Sequence, residues 1–154
     1  MKEYAVKTRS PQETYSFGEA LGAVLQGDET ILLLGDMGAG KTAITRGIVA
    51  GMGIDDDVSS PTYTLVNTYE DGGKKVHHFD LYRLMDEEGL YEMGFEDYLD
   101  DEAVLIIEWP QIAQGYPFER AMTLTLALGE DSEERMIRLE AEDSIVCALE
   151  KSGW

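Results

Sequence analysis

Eight consecutive residues, GDMGAGKT at positions 35–42, fit the pattern G-x-x-x-x-G-K-[ST] without a gap. Each residue type there has a use in holding a phosphate chain. Gly35, Gly38 and Gly40 permit backbone angles and close approaches that a side chain would block. With Asp36, Met37 and Ala39 between them, the loop offers N–H groups that converge on phosphate oxygens, aided by the positive end of the following helix. Lys41 is placed to reach the β and γ phosphates, and the Thr42 hydroxyl to ligate magnesium. The chemistry expected of this segment is binding of ATP with magnesium.

Such a loop needs a carboxylate to hold the metal and a group to orient what attacks the phosphate. Two acids stand at strand ends. Glu108 closes the apolar run VLII, which would bring its carboxylate out beside the loop, and Asp80 closes the more polar VHHF. Glu108 is the expected magnesium ligand. Asp80 is the expected water-orienting group, general base or second-layer ligand, although the two roles are interchangeable on this reading. His78 shares a strand face with Asp80, either to orient it or as a partly buried structural histidine. In SSPT at 59–62, Ser60 or Thr62 could meet the γ phosphate or a metal-bound water, unless the segment is an ordinary hydroxyl-rich turn. Trp109 either covers the pocket or fills the core, and Arg83 is either a cation near the phosphates or a salt-bridge partner.

The elements that must position these groups follow from the pattern. TILLL at 30–34 reads as a buried central strand, and a helix is expected from Lys41 to about Met52, so strand, loop and helix occur in the required order. A short strand at 4–7 precedes a helix that starts at Ser10-Pro11-Gln12-Glu13, with Ser10 as cap, Pro11 in the first turn and Glu13 returning a bond to the cap. Strands at 63–69 and 74–80 flank the turn Asp71-Gly72-Gly73. Residues 87–99 read as one helix, 103–108 as a second buried strand, 122–128 and 136–141 as a hairpin, and 142–151 as a helix. The expected fold is a P-loop NTPase-like three-layer α/β domain spanning 1–154, with a mixed parallel and antiparallel sheet.

Composition narrows the function. Of 154 residues, 31 are acidic and 12 basic, giving a formal net charge of −19. Such a surface repels phosphate backbones, which excludes non-specific nucleic-acid binding and leaves a nucleotide to bind only in a locally positive pocket. Cys147 is the only cysteine, so neither an intramolecular disulfide nor a thiolate cluster can form. No apolar run approaches the ~20 residues that span a bilayer, and the first residues are polar. A cytoplasmic protein with no membrane association is expected.

GDMGAGKT, SSPTYTLVNTY, HFDLYRL and IIEWPQ, in this order and spacing, resemble the TsaE (YjeE) family over about residues 10–141. That resemblance implies the ATPase component of the bacterial machinery that forms threonylcarbamoyladenosine at position 37 of tRNAs reading codons that begin with A. It implies weak hydrolysis alone, a complex with the TsaB and TsaD proteins, and tRNA met only indirectly through them. It implies phosphate and magnesium on Lys41 and Thr42, a catalytic group of Asp80, Glu108 and Trp109, and a place near the nucleotide for Pro11 and for Arg135, with Arg138 competing for the latter role. The chain departs from the usual pattern at Met37 (commonly leucine), at Ala43 (commonly threonine, so one hydroxyl beside the nucleotide is lost) and at Gln111 (commonly glutamate). Two rival functions use the same loop. A small-molecule kinase would need an arginine-rich lid, and the six arginines here are scattered. A pure nucleotide sensor would not need both Asp80 and Glu108.

Overall fold

A computed structural model describes all residues except 37, 114 and 119, so the nucleotide-binding role expected of Met37 falls outside the described residues. The chain runs β1 (Lys2–Thr8), α1 (Pro11–Val24), β2 (Thr30–Leu34), α2 (Lys41–Gly51), β3 (Val66–Asp71), β4 (Lys74–Asp80), α3 (Glu87–Glu92), α4 (Phe95–Leu99), β5 (Val104–Glu108), a 3-10 turn (Pro110–Ala113), β6 (Ala121–Leu128), β7 (Arg135–Ala141) and α5 (Asp143–Lys151). The described residues form a seven-stranded sheet in the order β1-β7-β6-β2-β5-β4-β3. The apolar TILLL run is its central strand. β2 lies parallel to β5 and to β6, and β5 lies parallel to β4. The hairpins add β3 and β7 antiparallel, and β1 pairs antiparallel with β7 at the edge, giving the mixed sheet expected.

The sheet separates two cores. On one face, Ile31, Leu33, Val76, Val104 and Ile106 pack with Phe17 and Leu21 of α1, Ile44 and Ile48 of α2, and Ile145, Val146 and Leu149 of α5. On the other, Phe79, Leu105 and Ile107 pack with Leu90 of α3, Phe95 of α4 and Ala113 of the 3-10 turn. β4 alternates between them, so Val76, His78 and Asp80 face the α1–α2 side while His77 and Phe79 face the aromatic side.

α1 and α2 meet backbone to backbone. A methyl added at Gly22 would lie 2.2 Å from the Ile48 carbonyl oxygen, and one at Gly47 would lie 2.1 Å from that of Tyr15. No side-chain movement relieves a clash with backbone, so these two positions require glycine. The seam fixes α2, and hence Lys41 and Thr42 in its first turn, against α1.

Local chemistry explains three differences from the sequence reading. Ser10 Oγ accepts the Glu13 N–H at 3.1 Å as a cap should, but the Glu13 carboxylate bonds the N–H of Arg9, at 2.9 Å, rather than that of Ser10. Residues 87–99 form two short helices, because Gly94 takes a left-handed φ of 76° and starts a new turn. β3 begins at Val66 rather than at 63, because Leu65 adopts a left-handed φ of 68° and turns the preceding segment toward β4.

Candidate functional site

Parallel pairing places Asp80 directly opposite Glu108 at the carboxyl ends of β4 and β5. The 35–42 loop leaves the neighbouring end of β2, whose Leu33 pairs with Glu108. Ligands of open α/β sheets bind at these carboxyl ends, where helix N-termini also point. Here a cleft of about 320 Å³ is lined by Gly38, Gly40, Lys41, Thr42, Ser60, Thr62, Asp80, Tyr82, Glu108 and Trp109.

Gly40 caps α2 with a left-handed φ of 101° that lets the loop turn directly into the helix. Lys41 is buried. Its Nζ donates to the Gly35 carbonyl at 2.7 Å, lies 3.8 Å from Glu108 Oε1, and sits 4.4 Å from the centre of the Trp109 ring. An ammonium has three donors, so this one keeps capacity for an anion in the cleft. Trp109 holds a φ of 55°, a region that a bulky residue enters only when its surroundings hold it there. Its ring packs on Lys41 and, at 5.0 Å, on Tyr82, so it covers the site edge rather than filling the core.

Both oxygens of Asp80 are engaged. Oδ2 accepts the Thr62 hydroxyl at 3.0 Å and Oδ1 accepts the Tyr82 N–H at 3.0 Å, while Ser60 Oγ lies 2.7 Å from Thr62 Oγ1. Leu65 steadies this arrangement, since its carbonyl accepts the Asp80 N–H at 3.0 Å and its N–H reaches the Pro61 carbonyl at 2.8 Å. Glu108 is bonded differently: Oε2 accepts from His78 Nε2 at 2.6 Å, and Oε1 faces Lys41. His78 therefore holds Glu108, and of the two roles open from the sequence it does not take that of orienting Asp80. In the parallel register His78 stands opposite Ile106, so Glu108 lies diagonally across the strand gap, within reach of the ring.

Other expected residues fall around the cleft. Ala43 lies half-buried in the first turn of α2, and Asp36 is exposed, its carbonyl accepting the Ala39 N–H at 3.1 Å. Pro11 sits exposed at the start of α1. Arg135 grips the loop from β7, donating to the Ala39 carbonyl at 2.9 Å and the Gly38 carbonyl at 3.0 Å, whereas Arg138 is exposed and pairs with Glu3 at 3.3 Å. Arg83 lies over the ring of Tyr63, 5.5 Å from its centre. Tyr69 went unnoticed in the sequence. Its hydroxyl lies 2.9 Å from the Ser59 carbonyl, and only the antiparallel pairing of β3 with β4 brings it to the site.

The oxygen donors fit a hard cation. Thr42 and Glu108 offer the ligand type magnesium prefers, and that ion keeps several waters and takes further ligands from phosphate. At Gly38 an added methyl would meet no heavy atom within 4 Å, so the crown of the loop is open. No group of three or more His, Cys, Asp or Glu able to hold a metal occurs among the described residues.

The fold is the three-layer α/β domain with a mixed sheet that the sequence leads one to expect. Residues 8–137 match the family model described as threonylcarbamoyl adenosine biosynthesis protein TsaE. The chain is 43% identical over 115 residues to the tRNA threonylcarbamoyladenosine biosynthesis protein TsaE of Haemophilus influenzae, covering 75% of this chain and 72% of that one. It is 34% identical over 135 residues to the protein of the same name from Bacillus subtilis, covering 87% and 84%. A crystal structure of Bacillus subtilis YdiB superimposes with a TM-score of 0.83 at 25% identity, covering 99% of this chain and 97% of that one. The chain belongs to the TsaE family, which acts in the biosynthesis of threonylcarbamoyladenosine in tRNA.

Proposed function

We propose that this protein is a P-loop ATPase required for threonylcarbamoyladenosine formation at position 37 of tRNAs reading codons that begin with A, acting in the cytoplasm in a complex with TsaB and TsaD. The observation that carries the reading is the gathering of Lys41, Thr42, Asp80 and Glu108 around one cleft at the ends of adjacent parallel strands. No helix among the described residues is long and apolar enough to cross a membrane.

The residues divide the work. N–H groups of the 35–42 loop and Lys41 bind the phosphates of ATP. Thr42 and Glu108 hold magnesium, which when bound neutralises developing charge on the phosphoryl oxygens. Glu108 suits this better than Asp80, because Asp80 already has both oxygens engaged by Thr62 and Tyr82 while Glu108 Oε1 faces the cleft. Asp80, with Thr62, orients the attacking water. Trp109 stacks on the Lys41 ammonium and shields the site edge. Catalysis of this kind depends on positioning and electrostatics, so hydrolysis is slow until TsaB and TsaD order the site. Hydrolysis resets the complex between rounds and does not supply the transferred group. A net charge of −19 keeps tRNA off this subunit, so tRNA is met through the partners.

The test is ATP hydrolysis by the purified protein, alone and with TsaB and TsaD, beside Glu108→Ala. Stimulation by the partners, reduced about 100-fold or more by the substitution, is the expected result. ATP binding without hydrolysis in either condition would replace this reading with that of a nucleotide sensor.

A further inference from the structure

His78 lines none of the cleft, yet its two ring nitrogens join two parts of it. Nε2 donates to Glu108 Oε2 at 2.6 Å, and Nδ1 lies 3.3 Å from Tyr69 Oη. That hydroxyl accepts the Ser59 N–H at 3.2 Å, and its single proton has Nδ1 and the Ser59 carbonyl, 2.9 Å away, as its two acceptors; given to Nδ1, it closes the chain. Ser59 opens the segment whose Thr62 hydroxyl bonds Asp80 at 3.0 Å. A continuous set of hydrogen bonds thus runs from one carboxylate, through the core, to the segment that holds the other.

We propose that His78 is the positioning residue for Glu108, and that through Tyr69 it ties the Glu108 carboxylate to the 59–62 segment. The proposal rests on Glu108 as the magnesium ligand. A glutamate has three side-chain torsions, and a carboxylate that holds a cation with one oxygen needs the other fixed. A histidine bonded behind a metal-ligating group supplies such a constraint. Burial argues that this is its purpose. His78 is fully buried between Val76 on its own strand and Ile106 opposite, both fully buried and apolar. An apolar side chain at position 78 would fill this core without desolvating an imidazole. The ring is rewarded only by what its nitrogens touch.

The experiment measures ATP affinity by Trp109 fluorescence, with magnesium and with EDTA, and takes the ratio of the two dissociation constants. In His78→Asn the amide stops near the former Nδ1 position and cannot reach Glu108. In His78→Gln the amide reaches the former Nε2 position. His78→Asn should lower the magnesium-dependent gain about tenfold or more, the usual cost of losing a group behind a metal ligand, and leave affinity in EDTA nearly unchanged. His78→Gln should restore most of the gain. In a Glu108→Gln background, His78→Asn should add nothing, because it acts through Glu108.

Equal weakening with and without magnesium, equal loss in the two variants, or additivity with Glu108→Gln would reduce His78 to a core residue and overturn the proposal. Should His78→Asn lose its cooperative unfolding, Tyr69→Phe carries the test, since it keeps the ring and alters one hydroxyl. A two- to fivefold loss of the gain supports the chain of bonds, and an unchanged gain overturns it. Failure of the underlying reading looks different: the parent protein would show no magnesium-dependent gain, or Glu108→Gln would retain it.

Discussion

His77 and His78 are neighbours in β4, both buried, and each places a hydroxyl by Nδ1 and a carboxylate by Nε2. For His77 these are Thr68, at 2.8 Å, and Asp101, at 2.8 Å. For His78 they are Tyr69, at 3.3 Å, and Glu108, at 2.6 Å. The two pairs differ in where β5 presents its acid. Asp101 precedes β5, and its side chain is 38% exposed; Glu108 ends β5, and its side chain is 6% exposed. Alternation sends one ring to the aromatic core and the other to the α1–α2 side, where the cleft opens. The same local chemistry therefore pins a surface loop in one case and a site carboxylate in the other. Face and strand end decide the role, not the residue type.

If the two faces are separable, a large loss on the aromatic side should leave the site intact. Phe79 is fully buried between His78 and Asp80 in sequence, with its ring 5.0 Å from Phe95 and 5.3 Å from Tyr98. Phe79→Ala should cost about 3–5 kcal/mol of stability in denaturant unfolding. The folded fraction should bind ATP with its magnesium-dependent gain preserved. Loss of that gain would mean that the aromatic core also sets the strand ends, and the comparison would fail.

The opposite face should couple stability to binding. Gly47→Ala pushes a methyl into the Tyr15 carbonyl and drives α2 off α1. The expected loss is about 1–3 kcal/mol by the same unfolding measurement, as for other overpacked contacts. Because Lys41 and Thr42 open the same helix, ATP affinity should fall as well, with or without magnesium. Stability lost with affinity unchanged would show that the loop is held by Arg135 and β2 rather than by the glycine seam.

These contrasts show why some of the molecule could be read from its sequence and some could not. The 35–42 loop, the central strand, the start of α1 at Ser10 and the acids ending β4 and β5 were legible because each is a local signal. The partner of His78 was not, because it depends on the parallel register that sets Asp80 opposite Glu108, and register joins strands far apart in the chain. Tyr69 was hidden for the same reason: its hydroxyl meets the site only through the pairing of β3 with β4. The break at Gly94 and the late start of β3 after Leu65 were missed because a left-handed residue interrupts an apolar pattern without changing it. Arg135 was assigned to the nucleotide by analogy. It lies against the 35–42 loop, where Nε and Nη2 donate to the loop's own carbonyls.

The smallest effect is expected at the surface member of the histidine comparison. The hydrogen bond from His77, and then that from Lys75, hold the Asp101 carboxyl below the usual carboxylate range. A carboxyl whose folded value is depressed binds its proton more weakly in the native state than in the unfolded one. Its contribution is therefore fully present above the ordinary range and disappears as pH falls through the lowered value. Asp101→Asn should slightly lower the melting temperature at pH 7, less so in high salt because the pair is exposed, and should flatten the decline in stability on the acid side. The magnesium-dependent gain in ATP affinity should not change. A gain reduced as in His78→Asn would mean that His77 also reaches the site, and the two rings would no longer have separate roles.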